Sequence, residues 1–257
     1  MMELTNEAKA TFERLFGSQP QPDKRDPELL AILQNQIFGE VFSTGVLDDK
    51  MRELITVTAI ASMGQLPQLK AHTAAALNVG NSPLEIREAV YSCAPYLGWP
   101  RTLNAVAAMD DALEAAGVKL PLEDAATVTV EEREAAGAAI QAPLYGDEVK
   151  AVFSKLPGVF GEFVPHLLTA DCFGYFATRR GLDGKTRELL SVVVLAAIGA
   201  GTQLKAHISG AVKAGNSLLE LTAALVQALP YIGFPNALTA LAVIANYDES
   251  ESHEAYR

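Results

Sequence analysis

Cysteine is nearly absent from this chain. The two that occur, Cys93 and Cys172, form no Cys-x-x-Cys pair, so neither a disulfide framework, a thiolate zinc site nor a dithiol enzyme is expected. Basic residues are in deficit: 20 Lys and Arg stand against 31 Asp and Glu, a net charge of −11. Such a field repels polyanions, and no basic run offsets it, which argues against a nucleic-acid partner. Long hydrophobic runs are missing too. The longest, Leu189 to Ala200, contains Ser191 and falls short of the ~20 residues that a membrane-crossing helix needs. The first residues, Met1 to Glu7, are polar and acidic where a secretory leader needs a basic start and an apolar core, so the expected location is the cytoplasm. Alternating Val/Ile/Thr segments bounded by hairpin turns are also lacking, which removes the signal for strands. Of the four histidines, no two have metal-ligand spacing, so neither a metal nor a cofactor is expected.

What the chain has instead is a repetition. Arg52-Glu53-Leu54 returns as Arg187-Glu188-Leu189, and Gln68-Leu69-Lys70-Ala71-His72 as Gln203-Leu204-Lys205-Ala206-His207, both at a spacing of 135 residues. The same spacing pairs Gly80-Asn81-Ser82 with Gly215-Asn216-Ser217, Glu85 with Glu220, and Pro95-Tyr96-x-Gly98-x-Pro100 with Pro230-Tyr231-x-Gly233-x-Pro235. Between Lys50 and Pro100, 23 of 51 positions are identical to their counterparts. This is a tandem duplication, and each half is long enough to bury a core. Residues 1–120 make the first copy, 121–126 a linker and 127–257 the second.

The remaining pattern is Ala/Leu/Glu-rich with helical spacing, which gives an all-α fold of two tandem helical domains related by a pseudo-twofold. Thr5 and Thr129 are placed to cap the opening helices. Asp48 and Asp183 cap helices that begin near Lys50 and Lys185 and run to Gly64 and Gly199. The next helix carries Gln68 and His72 on one face and closes at Gly80. Ser82-Pro83-Leu84-Glu85 and Ser217-Leu218-Leu219-Glu220 read as capping boxes.

The order of Arg-Glu-Leu, an apolar helix, a polar residue four before a histidine, Gly-Asn-Ser-x-x-Glu and Tyr-x-Gly-x-Pro resembles the carboxymuconolactone decarboxylase family, which includes alkylhydroperoxidase D-like enzymes. The likeness covers about residues 38 to 112 and 173 to 247. In the peroxidase branch the pattern is Glu-x11-Cys-x2-Cys-x3-His. Here Glu53, Gln65, Gln68 and His72 keep the spacing without the thiols, and the second copy has Glu188, Ala200, Gln203 and His207. Glutamine and alanine cannot attack a peroxide or resolve a sulfenic acid, so dithiol peroxidase chemistry is excluded. The resemblance further implies a homo-oligomer. Single-repeat relatives form hexamers, so three fused chains would build the same ring, a trimer acting as a pseudo-hexamer.

The polar residues common to both copies suit cofactor-independent decarboxylation of a small carboxylated lactone or keto acid. Glu53, Gln68, His72 and their counterparts Glu188, Gln203, His207 are the catalytic candidates: histidine to move a proton, glutamine to donate to an enolate, glutamate to orient the histidine. Arg52, Gln65, Tyr96, Arg187 and Tyr231 are candidates for substrate binding. The same set serves a lactone isomerase or hydrolase, or a non-catalytic binding or assembly protein. In that last case Glu53 and Glu188 offset helix dipoles or pair with Lys50 and Lys185, while the glutamines tie helices together. His166 and His253 have no counterparts. Since Ala200 stands between two glycines, the second copy has more room beside its histidine and is the expected working site.

Overall fold

The computed structural model of the chain describes residues 3–248, and His253 lies outside them. Every regular element among the described residues is helical. The first copy opens with α1 (Asn6–Phe16), where the Thr5 side chain accepts the Ala8 N–H. Next comes α2 (Pro27–Gln34), which widens into a π stretch, Asn35–Glu40, and closes in a 3-10 turn, Val41–Thr44. There follow α3 (Asp49–Met63), α4 (Leu66–Asn78), α5 (Pro83–Ser92), the single turn α6 (Ala94–Leu97) and α7 (Trp99–Ala115). The second copy repeats the series as α8 (Arg133–Tyr145), an added short α9 (Glu148–Phe153), α10 (Phe160–Leu167) with its π continuation Leu168–Ala177, α11 (Gly184–Ala197), α12 (Gly201–Lys213), α13 (Leu218–Ile232) and α14 (Phe234–Ala245).

Local chemistry accounts for the boundaries. Asp48 accepts the Met51 N–H at 2.8 Å and Asp183 the Thr186 N–H at 2.7 Å, satisfying free amides of α3 and α11. Gly64 takes the left-handed conformation that stops α3. Both Ser-x-x-Glu segments close reciprocal capping boxes. The asparagines before them donate to the backbone of the central helices, Asn81 to the Lys50 carbonyl and Asn216 to that of Lys185, at 3.0 and 2.9 Å. Lys50 and Lys185 in turn pair with Glu85 and Glu220, at 3.3 and 2.7 Å, rather than with Glu53 and Glu188. The Gly-Asn-Ser-x-x-Glu motif is thus a brace that holds the start of α5 or α13 against α3 or α11.

The central helices are buried along almost their whole length, from Arg52 to Ser62 in α3 and from Arg187 to Ala197 in α11. A helix covered on every side belongs at the centre of a fold. The two pack against one another, and each also lies on a helix of the opposite copy, α3 on α13 and α11 on α5. The main apolar core therefore draws on both copies, from Leu54, Ile55 and Ile60 to Leu190, Val193 and Ile208. The segment between the copies is strapped down. Ala125 is fully buried and its carbonyl accepts the Arg180 N–H at 3.0 Å, the Glu123 carbonyl accepts from Arg87 at 2.8 Å, and Thr127 donates to the Thr178 carbonyl at 2.7 Å. No helix among the described residues is long and apolar enough to cross a membrane.

Two buried arginines cross the seam. Arg52 donates to Gln227 of the second copy at 2.7 Å, and to Thr44 and the Val41 and Leu47 carbonyls of its own. Arg187 donates to Ser92 of the first copy at 2.8 Å and to Glu88 at 3.2 Å. Positions 92 and 227 are equivalent in the repeat, so the crossings are reciprocal, which is the signature of a twofold relation. The two arginines expected to bind substrate are engaged internally instead: one position along a helix from the glutamate, each points about 100° away from it, toward the other copy, and its Nη atoms are taken by internal acceptors. Glu88, fully buried, also receives Arg87 at 3.2 Å and Arg179 at 2.9 Å. Removing that carboxylate strands three guanidiniums out of water, so Glu88→Gln should cost about 3–5 kcal/mol. Urea denaturation measures it, and a loss below about 1 kcal/mol would show that the cluster is not held by charge.

Candidate active site

The glutamate of each central helix and the histidine of the next helix come together on the inner side of the core. In the first copy His72 Nδ1 lies 2.8 Å from Glu53 Oε2, with the carboxylate fully buried and the imidazole 8% exposed. An ionised carboxylate only accepts, so Nδ1 is the protonated nitrogen and Nε2 is left free to exchange a proton. The walls are aromatic: the Phe16 ring stands 5.6 Å and the Tyr231 ring 5.4 Å from the imidazole, both edge-on. The second carboxylate oxygen, Glu53 Oε1, is buried without a hydrogen-bond partner among the described residues.

Tyr231 belongs to the other copy, and the second site repeats the exchange. There the Tyr96 ring of the first copy stands 5.5 Å from His207, and its hydroxyl donates to Ser191 at 2.9 Å. Both tyrosines are buried, which pushes their hydroxyls above the ordinary range. Each site therefore takes one of its rings from the opposite repeat.

The second site contains a group that the first lacks. Tyr145, the last residue of α8, donates its hydroxyl to Glu188 Oε2 and lies 2.7 Å from His207 Nδ1, while Glu188 and His207 are themselves 3.4 Å apart. Burial, and next the Glu188 charge, hold the Tyr145 hydroxyl well above its usual value, so it remains protonated. Its counterpart is Phe16. Both end their helices immediately before a positive-φ glycine, Gly17 or Gly146, and both pack on the histidine of their own copy. They are 129 rather than 135 residues apart, so the repeat spacing does not reveal the match. Room for the hydroxyl comes from α12: a Cβ on Gly210 would sit 2.6 Å from Tyr145 Oη, whereas the equivalent position of α4 is Ala75. Glycine inside a helix is about 1 kcal/mol less favourable than alanine.

The glutamines stand apart from this geometry. Gln68 and Gln203 are exposed and hydrogen-bond to neither histidine; Gln65 is exposed and reaches only the Met63 carbonyl. Gln68 shares a helix face with His72, but the first turn of α4 projects beyond the core, and cover from Phe16 and Tyr231 begins one turn later. His166 lies outside both sites, half exposed against Glu134 at 3.1 Å. Beside Glu188 a cavity of about 30 Å³ is lined by Ser92, Tyr96, Cys172, Phe176, Arg187 and Ser191. It has room for about one water or one polar substituent. Arg187 Nε is buried and has no hydrogen-bond partner among the described residues.

Comparison with known proteins places these features in context. The profile of the carboxymuconolactone decarboxylase family matches residues 27–111 and 164–246. Nitrosuccinic acid decarboxylase of Metarhizium robertsii is 39% identical over 69 residues, which are 27% of this chain and 48% of that enzyme, so the matched segment spans about half the length of this relative. A crystal structure of a protein provisionally described as a gamma-carboxymuconolactone decarboxylase subunit, from Burkholderia xenovorans LB400, superposes with a TM-score of 0.52 at 22% identity, covering 93% of this chain and 95% of that one. At that identity it shows the fold.

Burial pushes the thiols of Cys93 and Cys172 up to about 12, so neither is a thiolate near neutrality. Iodoacetamide at pH 8 should leave both unmodified in the native protein and alkylate both in urea. Rapid native labelling, read by mass spectrometry, would contradict the thiol-free site.

Proposed function

Because the chain belongs to the carboxymuconolactone decarboxylase family, we propose that it is a cofactor-independent enzyme that releases CO2 from a small carboxylated lactone or keto acid. The observation that carries this reading is the buried glutamate–histidine pair, formed twice under an aromatic wall lent by the opposite copy. Loss of CO2 leaves an electron pair on carbon, which a neighbouring carbonyl takes up as an enolate. Histidine Nε2, after taking a proton from solvent, is the group that then gives a proton to carbon, with the glutamate on the Nδ1 side of the ring fixing its orientation. Nitrosuccinic acid, the substrate in the name of the Metarhizium enzyme, poses the same electronic problem, since decarboxylation at the nitro-bearing carbon leaves a nitronate. The substrate class follows as a dicarboxylate whose loss of one CO2 yields a delocalised carbanion.

The second site is the working one in this reading, since it has the tyrosine between its glutamate and its histidine. With gamma-carboxymuconolactone and nitrosuccinate as probes, His207→Ala should lower kcat/KM for CO2 release by about 100-fold or more, and His72→Ala by less than about twofold. Equal losses would contradict the asymmetry, and no loss from either would remove the acid–base reading.

The assembly belongs to the same proposal. Trp99 and Leu103 at the start of α7 are exposed, and so are their repeat counterparts Phe234 and Leu238 at the start of α14. Two matched apolar patches on one chain suit a closed ring of three copies. Light scattering at micromolar concentration should give three times the chain mass; a monomer would sink the idea.

A further inference from the structure

The two sites share glutamate and histidine and differ by one hydroxyl, and a helix position differs with it. We propose that Tyr145 is a positioning residue that joins Glu188 to His207 in one hydrogen-bonded chain and confines proton transfer to the second site. The proposal rests on the enzymatic reading above and deepens it.

A phenol has one proton to give. Glu188 Oε2 can only accept it when ionised, so the hydroxyl lone pair faces His207 Nδ1 at 2.7 Å and accepts its N–H. Both bonds run the same way, from imidazole to phenol to carboxylate. When Nε2 takes a proton, the Nδ1 proton can pass to the tyrosine oxygen while the tyrosine proton passes to Glu188. The proton taken up at Nε2 comes from solvent water; its delivery to carbon is accompanied by the reverse shift along the chain, so each CO2 released consumes one solvent proton and the relay returns to its starting state. In the first site Phe16 offers no such link, and His72 bonds directly to Glu53.

The helix below Tyr145 gives an independent indication. In an aligned stretch where α4 has Ala75, α12 has Gly210, and a Cβ there would meet the tyrosine oxygen and ring carbons at 2.6 to 2.9 Å. Glycine is unfavourable in a helix interior and is not needed here for backbone conformation, since its φ is not positive. Its effect is to admit the phenol. Phe16 with Ala75 and Tyr145 with Gly210 therefore behave as two matched pairs, one per site.

The experiment uses the full chain, with two readouts. In the first, nitrogen-15 NMR of labelled histidine follows the ring nitrogens without any substrate. Tyr145→Phe and Gly210→Ala should each shift the His207 signals and leave those of His72 in place. In the second, CO2 release from gamma-carboxymuconolactone and nitrosuccinate should fall about 100-fold in kcat with KM within about twofold for both variants. Phe16→Tyr with Ala75→Gly, made in the His207→Ala background, should restore turnover at the first site. If His207 signals move but kcat is unchanged in Tyr145→Phe while His207→Ala is inactive, the positioning role is overturned and the acid–base reading stands. If the His207 signals do not move, the hydrogen-bonded chain itself is refuted. If His207→Ala retains full turnover, the enzymatic reading fails, and the tyrosine proposal fails with it.

Discussion

The packing of α3 against α11 is the constraint from which the other features follow. Both helices are covered all round, so each must be enclosed partly by its own copy and partly by the other. That contact directs Arg52 and Arg187 across the seam, places Tyr96 and Tyr231 over the opposite histidines, and buries Glu53 completely. Were the copies to separate, the core would lose its centre and each histidine one of its aromatic walls. The strapped segment around Ala125 and the Glu88 cluster keep the seam closed by different means, the one through backbone hydrogen bonds and the other through buried charge.

Much of this was legible in the chain because its causes are local. Asp48, Asp183, Ser82 and Ser217 announce helix starts through side-chain chemistry that acts over three residues, and Gly64 announces an end. The glutamate–histidine pair was legible because duplication wrote it twice. What escaped depends on contacts between segments distant in sequence. No local signal tells that Tyr96 lies over His207 rather than His72. Arg52 and Arg187 were read toward a substrate because the partner helix that captures them comes from the other repeat. Gln68 and Gln203 were read toward the histidine because helical spacing predicts a shared face but not where cover begins.

Tyr145 was hidden by a different cause. The second copy inserts six more residues between its first helix and its central one, so the repeat spacing that aligns the histidines misaligns the aromatic groups that pack on them. Two traces remained in the sequence: the glycine that ends each first helix directly after the aromatic residue, and the change from Ala75 to Gly210 within an otherwise well-matched helix.

In an assembly of identical subunits, any substitution that reshapes one site is imposed on every other, so a change that improves chemistry must be tolerated everywhere at once. Covalent fusion lifts that coupling. The Phe16/Ala75 corner and the Tyr145/Gly210 corner occupy equivalent places across one seam yet are encoded separately. One half of this molecule is thus free to specialise while the other keeps the shape that the shared core requires.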